Sequence, residues 1–323
     1  MLDRTLSVAP MMGCTDMHCR YLLRLLSPNS LLYSEMITAD ALLHGDTAYF
    51  LRHLQDEPVA FQLGGSNPEK LARCAKLIES AGYQEINLNA GCPSDRVQVG
   101  KIGACLMAEP LLVADCYSAM QSAVNIPVTI KSRIGIDDQD SFAFFEDFIR
   151  PIHGAGCRTF IVHARKAILK GLSPKDNRTI PPLKYEYVYD IQEAFPDATF
   201  VLNGGLVSSQ QVVKELELVK GVMLGRAVYS NPWLLVEIEA DLFGTPLPAR
   251  REIVTLYRRY ILDGLAEGTY FKHMGKHLLG LFTGIPGARA YRRHLSEHMF
   301  KDDAGIECFD DAIELIRAQA QPE

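Results

Sequence analysis

Apolar, β-branched runs that close on polar or glycine residues recur along the chain at 6–10, 31–35, 59–62, 85–89, 128–131, 159–163, 199–203 and 221–224. Between most of them the apolar positions fall three and four apart, as with Leu71, Ala75 and Ile78 within 68–81, the period of one helical face. A short strand followed by a helix, repeated eight times, predicts an α/β fold whose parallel sheet closes into a (β/α)8 TIM barrel. An open doubly wound sheet would need a glycine-rich dinucleotide turn after its first strand. Met11-Met12-Gly13-Cys14 is not one. Near Leu242 the alternation ends, and Pro246 and Pro248 mark a linker. Helical spacing alone follows: Ile253, Leu256, Tyr257, Tyr260 and Ile261, then Met274, Leu278 and Leu281, then Tyr291, Leu295 and Met299, then Phe309, Ile313 and Ile316. A barrel over 1–245 and a small C-terminal helical bundle over 246–323 are therefore expected.

Composition narrows the class. With 48% hydrophobic and 22% charged residues in 323, the chain is an ordinary folded one and not a disordered one. Its longest apolar stretch, 278–288, is broken by glycine and proline, well short of the roughly 20 residues that cross a bilayer. Met1-Leu2-Asp3-Arg4 lacks the layout of a signal peptide, so no membrane partner and a cytoplasmic location are expected. The eight cysteines form no CxxC and sit at no ligand spacing from histidine, which points to reduced thiols and no metal. The net charge of −6 marks no general affinity for nucleic acid. Its distribution says more. Residues 250–293 hold nine Lys or Arg against three acids, and 294–323 hold two against eight. A second basic stretch gathers Arg165, Lys166, Lys170, Lys175 and Arg178 around Asp176 alone. Two segregated basic stretches in an acidic protein point to a polyanionic partner.

A barrel places its chemistry at the C-terminal ends of the strands. There the sequence has Gln62, Asn87 and Asn89, Lys131 and Arg133, His163 and Arg165, and Asn203. The members of each pair are two apart and share one strand face. Any one of them is as readily a structural hydrogen bond. The whole set at one mouth needs partners, because buried polar groups cost free energy unless paired, and a polar ligand supplies them. Asn203-Gly204-Gly205 and Gly225-Arg226 follow the seventh and eighth strands, where barrels commonly hold phosphate. Glycine lets backbone N–H groups approach the phosphate, and arginine adds a bidentate contact. With no second nucleotide site evident, a mononucleotide such as FMN is favoured. After the fourth strand, Gly91-Cys92-Pro93-Ser94 opens a loop punctuated by Gly100 and Gly103, which would carry a thiol over the mouth. That thiol could serve as acid, base or nucleophile.

These residues also form a pattern. Val8-Ala9-Pro10-Met11, Gln62-Leu63-Gly64-Gly65, Glu85 to Asn89 with Gly91-Cys92-Pro93, and His163-Ala164-Arg165 resemble the tRNA-dihydrouridine synthases. Cys92-Pro93-Ser94-Asp95-Arg96-Val97-Gln98 and Gly171-Leu172-Ser173-Pro174-Lys175 resemble signatures of the A subgroup. The resemblance implies an FMN barrel with a helical tRNA-binding domain, NADPH as reductant, and reduction of D-loop uridines at positions 20 and 20a. It implies flavin contacts from Pro10, Met11, Met12, Gln62, Lys131 and His163, and phosphate contacts from Asn203, Gly204, Gly205, Gly225 and Arg226. It implies Cys92 as proton donor, and RNA contacts from Asn89 and Arg178. Arg165, Lys175, Arg292 and Arg293 are expected to join them on tRNA phosphates. One departure stands out: Gly13-Cys14 replaces the Asp-Trp that subgroup members commonly carry before Thr15-Asp16, which bears on how this loop walls the flavin pocket.

Three rival readings keep parts of this pattern. An FMN barrel acting on a free pyrimidine, such as a dihydroorotate dehydrogenase, would not need the basic helical appendage. A Schiff-base aldolase would use Lys131 as nucleophile. A non-catalytic RNA-binding protein would make no use of Cys92. The working expectation is a monomeric enzyme.

Overall fold

A computed structural model of the chain describes residues 2–54, 56–94, 100 and 102–320, the last four of these by backbone alone. Asp95 to Gln98 of the strand-four signature lie outside the described residues. Among the described residues the strands are β1 (Leu6–Val8), β2 (Leu31–Thr38), β3 (Val59–Gly64), β4 (Glu85–Ala90), β5 (Val128–Arg133), β6 (Thr159–His163), β7 (Thr199–Asn203) and β8 (Gly221–Leu224). All pair in parallel in sequence order, and β1 closes the ring on β8. The eight-stranded barrel is the one that the spacing predicts.

Helices pack the outer faces of the strands through single apolar stripes. Helix Pro68–Ser80 buries Leu71, Cys74, Ala75 and Ile78, begins with proline, and is capped by Asn67, which accepts from the Lys70 N–H at 2.9 Å. The strand-two pattern ends early at 35, whereas β2 runs on to Thr38 through a register shift between Tyr33 and Met36. Ser34 and Glu35 interrupt the apolar run there, and the Ser34 hydroxyl accepts from the Gln62 N–H at 3.0 Å. The barrel interior has two halves. Ala9, Leu31, Tyr33, Ala60, Ile161, Val201 and Met223 make an apolar cluster. Gln62, Glu85, Asn87, Asn89 and Thr129, on three consecutive strands, make a buried polar one.

The chain separates into two compact units. The first comprises 1–13, 30–206 and 210–225, and the second 14–29, 207–209 and 226–323. The linker expected at Pro246 and Pro248 thus falls inside the second unit, which also takes helices Met17–Leu26 and Trp233–Phe243. Its core joins Leu22, Leu26 and Val236 to Tyr257, Ile261, Phe271, Met274, Tyr291, Leu295 and Phe309. In helix Arg250–Ala266 the buried residues are Ile253, Tyr257 and Ile261; Leu256 is 48% exposed and off that face. The 274/278/281 spacing reads as one helix, but the backbone forms the short helix Phe271–Gly275 and a 3-10 turn, Lys276–Leu278. Gly280 then passes so near the Ser230 carbonyl that a Cβ would meet its oxygen at 2.5 Å. No helix of the described residues is long and apolar enough to cross a membrane.

Candidate active site

The C-terminal ends of β3 to β5 carry the polar half of the barrel to its mouth. Asn89 donates from Nδ2 to Gln62 Oε1 at 3.0 Å, and its Oδ1 accepts from the Gly91 and Cys92 N–H groups at 3.1 and 2.9 Å. The Cys92 carbonyl accepts from the Ala104 N–H at 2.9 Å. Cys92 is therefore held by its backbone on both sides, while its partly buried side chain packs against Met36 and Ile102. Burial pushes Cys74 up to about 11, and Cys116 and Cys157 up to about 12, which keeps them protonated and inert.

Across the mouth, Lys131 Nζ donates to Asn203 Oδ1 at 3.0 Å, and Asn203 Nδ2 donates to the Met223 carbonyl at 2.7 Å. Burial, with the Arg133 guanidinium nearby, pushes the Lys131 ammonium down to about 7. Beyond Asn203 the chain turns through Gly204 and Gly205, at φ +117° and +74°. A Cβ on Gly204 would lie 2.7 Å from His163 Cδ2, and one on Gly205 2.5 Å from Leu183 Cδ1. Both the handedness and the crowding require glycine. The Tyr185 hydroxyl donates to the Gly204 carbonyl. Among the described residues neither glycine N–H has a protein partner. At Gly225 a side chain would reach Ala9 and Met11, each at 3.7 Å. Met11 packs on the apolar barrel cluster, Pro10 is partly buried, and Met12 is 63% exposed.

Arg133 is a site residue whose role the strand spacing does not reveal. It is buried, and its guanidinium donates to the Gly91 carbonyl at 2.9 Å, the Lys166 carbonyl at 3.0 Å and the Asn177 carbonyl at 2.9 Å. One side chain thus ties the Cys92 loop to the basic loop after β6. Asn177, fully buried, closes that loop on itself by accepting from the Ile168 N–H at 2.7 Å and donating to its carbonyl at 2.8 Å. Arg133→Met should leave three carbonyls unpaired and cost about 2–4 kcal/mol. Urea unfolding of the two proteins checks this; equal midpoints and slopes would contradict it.

The family model described as "Dihydrouridine synthase (Dus)" matches residues 7–317. The chain belongs to the dihydrouridine synthase family. It is 52% identical over 314 residues to the tRNA-dihydrouridine(20/20a) synthase of Vibrio vulnificus (strain CMCP6), covering 96% of each chain. It is 52% identical over 320 residues to that of Pseudomonas putida, covering 98% of this chain and 95% of the relative. With that of Escherichia coli (strain K12) it shares 52% over 314 residues, 96% of this chain and 91% of the relative.

Dihydrouridine synthase membership gives the remaining expected residues a frame, and the structure sorts them. In the basic loop, Lys166 pairs with Asp140 at 3.1 Å, and Arg165 donates to the Thr179 and Pro181 carbonyls. Arg165 thus closes the loop on itself, and Lys166 ties it to the segment after β5. Lys170, Lys175 and Arg178 are exposed. In the second unit, Arg226 opens the short helix Arg226–Ser230. Of the cations in 250–293, Arg258 pairs with Asp310 at 2.7 Å, Lys276 pairs with Asp16 at 2.8 Å, and Arg250 lies 3.9 Å over the Trp233 ring. Arg292 and Arg293 are exposed and, with Arg289, line a hollow of about 650 Å³ at the start of helix Ala288–His298. Arg289 is the residue that the sequence pattern did not single out, although its three-residue spacing from Arg292 puts both on one face. At the family's departure, Gly13 has φ +76° and donates its N–H to Glu35, with nothing within 4 Å of an added Cβ.

Proposed function

We propose that this protein reduces the C5–C6 bond of uridine in the tRNA D-loop to dihydrouridine, and that positions 20 and 20a, named for its relatives, are its targets. The reading rests above all on one observation: a partly buried thiol whose backbone is fixed by Asn89, in a mouth that also holds a cation and an open glycine turn. The donor set fits FMN. The N–H groups of Gly204 and Gly205, without a protein partner among the described residues, the Lys131 ammonium and the close approach at Gly225 form a cradle for a phosphorylated flavin. Asn203 and His163 border it, Arg226 follows Gly225 in sequence, and Gln62, Pro10, Met11 and Met12 are the ring contacts. FMN, reduced by NADPH, supplies the hydride that C6 of the uracil receives.

The protein's own groups do the rest. Gln62 and Asn89 each keep a further amide hydrogen beyond those engaged in the barrel, suited to the edge of a planar heterocycle. Cys92 holds the proton that C5 takes up. The thiolate left behind is within electrostatic reach of Lys131 and Arg133. A uracil in folded tRNA must be swung out of its stack to reach such a mouth, so the RNA has to be gripped elsewhere. Lys170, Lys175 and Arg178, and separately Arg289, Arg292 and Arg293, are the exposed cations that support this grip. NADPH and newly made tRNA share the cytoplasm, where the reaction belongs.

The visible spectrum of the purified protein tests the cofactor. Anaerobic mixing of its reduced form with unmodified tRNA tests the reaction. Bound flavin, reoxidised in step with dihydrouridine formation, is expected; a colourless protein, or equal turnover of free uridine, would overturn the proposal. Arg289→Gln, Arg292→Gln and Arg293→Gln together should lower the slope of log affinity against log salt by about 2–3, one counterion per lost phosphate contact. Flavin content should not change. A slope identical to wild type would remove the helix from the RNA interface.

A further inference from the structure

The polar half of the barrel is a single directed chain of hydrogen bonds. At the top, the Gly91 and Cys92 N–H groups donate to Asn89 Oδ1 at 3.1 and 2.9 Å. Asn89 Nδ2 donates to Gln62 Oε1 at 3.0 Å, and Gln62 Nε2 to Asn87 Oδ1 at 2.7 Å. Asn87 Nδ2 donates to Thr129 Oγ1 at 2.9 Å, and that hydroxyl donates to Glu85 Oε1 at 2.8 Å. Glu85 is fully buried. It pairs with Arg4 Nη2 at 2.6 Å and also accepts from the Tyr33 hydroxyl at 2.5 Å.

The two ends fix the direction. Backbone N–H groups can only donate, and an ionised carboxylate can only accept. Each amide between them could turn over by itself, exchanging oxygen and nitrogen at nearly the same positions. Held between a pure donor and a pure acceptor, none can turn without setting two donors or two acceptors face to face. In a buried site such a mismatch is costly.

We propose that Glu85, at the buried end of this chain, is a positioning residue for the active site. Its charge sets the amide orientation of Gln62 and Asn89, and through Asn89 it holds the Cys92 loop. This rests on the functional reading only for the meaning of Cys92; the positioning itself can be measured without flavin or RNA.

The test is amide hydrogen exchange at Gly91 and Cys92, with site-resolved alkylation of the Cys92 thiol. Thr129→Val breaks the chain at a nearly isosteric position and leaves the Arg4–Glu85 pair in place. It should speed exchange at both amides and alkylation of Cys92 by about tenfold or more, the loss of one buried hydrogen bond. Thr129→Ser keeps the hydroxyl and should stay near wild type. Glu85→Gln should behave as Thr129→Val does. Val201→Ala, on the apolar half of the barrel, controls for destabilisation alone and should leave the loop unmoved. In tRNA turnover, Thr129→Val should lower kcat with little change in KM. A wild-type loop in Thr129→Val, or an equal effect from Val201→Ala, would overturn the proposal. If the loop responds while tRNA is never reduced, the positioning stands and the functional reading fails.

Discussion

Replacing Cys92 by alanine is expected to cut dihydrouridine formation by roughly 10²- to 10⁴-fold, the range that a positioned general acid contributes. Flavin content and tRNA affinity should remain near wild type. The substitution spares the loop because Cys92 is held through its N–H, to Asn89, and its carbonyl, from Ala104. Only the sulfur is lost, together with its packing on Met36 and Ile102. Single-turnover reoxidation of the reduced protein by unmodified tRNA, beside a binding titration, makes the separation. Activity within threefold of wild type would remove the thiol from the reaction. A matching loss of tRNA binding would assign it to recognition instead.

The second large effect is expected at Lys131. Its pKa near 7 sits well below that of an ordinary lysine because burial penalises the charge and Arg133 repels it. Two pH dependences of opposite sign follow. In the unliganded protein, the unfolded chain binds more protons than the folded one between about pH 7 and the ordinary lysine value near 10.4. The group's penalty on stability is therefore complete below pH 7 and fades as pH rises through that window. An anionic ligand at the glycine turn reverses the preference by raising the lysine pKa. Above pH 7 its binding takes up a proton, and affinity falls by up to about tenfold per pH unit. Lys131→Met should abolish both trends and weaken FMN retention at pH 7. Titrations with FMN from pH 6.5 to 9, in paired buffers of different ionisation heat, would show the proton directly. A flat profile in wild type would contradict the linkage.

Periodicity carried the fold because buried strands and one-sided helices leave it in the sequence. Thr159–His163, Thr199–Asn203 and Gly221–Leu224 stand where the pattern put them. It failed where a polar pair interrupts an apolar run, as at Ser34 and Glu35 of β2, and where a helix is cut short, as after Gly275. Within the site, Cys92, Lys131 and Asn203 were legible as chemistry standing at strand ends. Arg133 stands in the same strand-end pattern, but its role, like that of Thr129, was not legible, because it depends on partners 33 to 44 residues away. Arg165 and Lys166 read as open charge, yet both are engaged with their own loop or with Asp140. Charge counting cannot tell a cation held by a neighbouring carbonyl from one turned to water.

The second unit draws its core from both ends of the chain, with Leu22 and Leu26 of the first βα repeat seated among Tyr257, Phe271 and Tyr291. A gene cut at the proline linker would therefore not yield a self-sufficient enzyme half. It would strand Leu22, Leu26 and Val236 of the retained half in water and leave the excised half with a hole where they belong. Evolution could not have shuffled this appendage on and off by splicing at one joint, and a chimera with another family member would have to swap 14–29 and 207–209 along with 226–323.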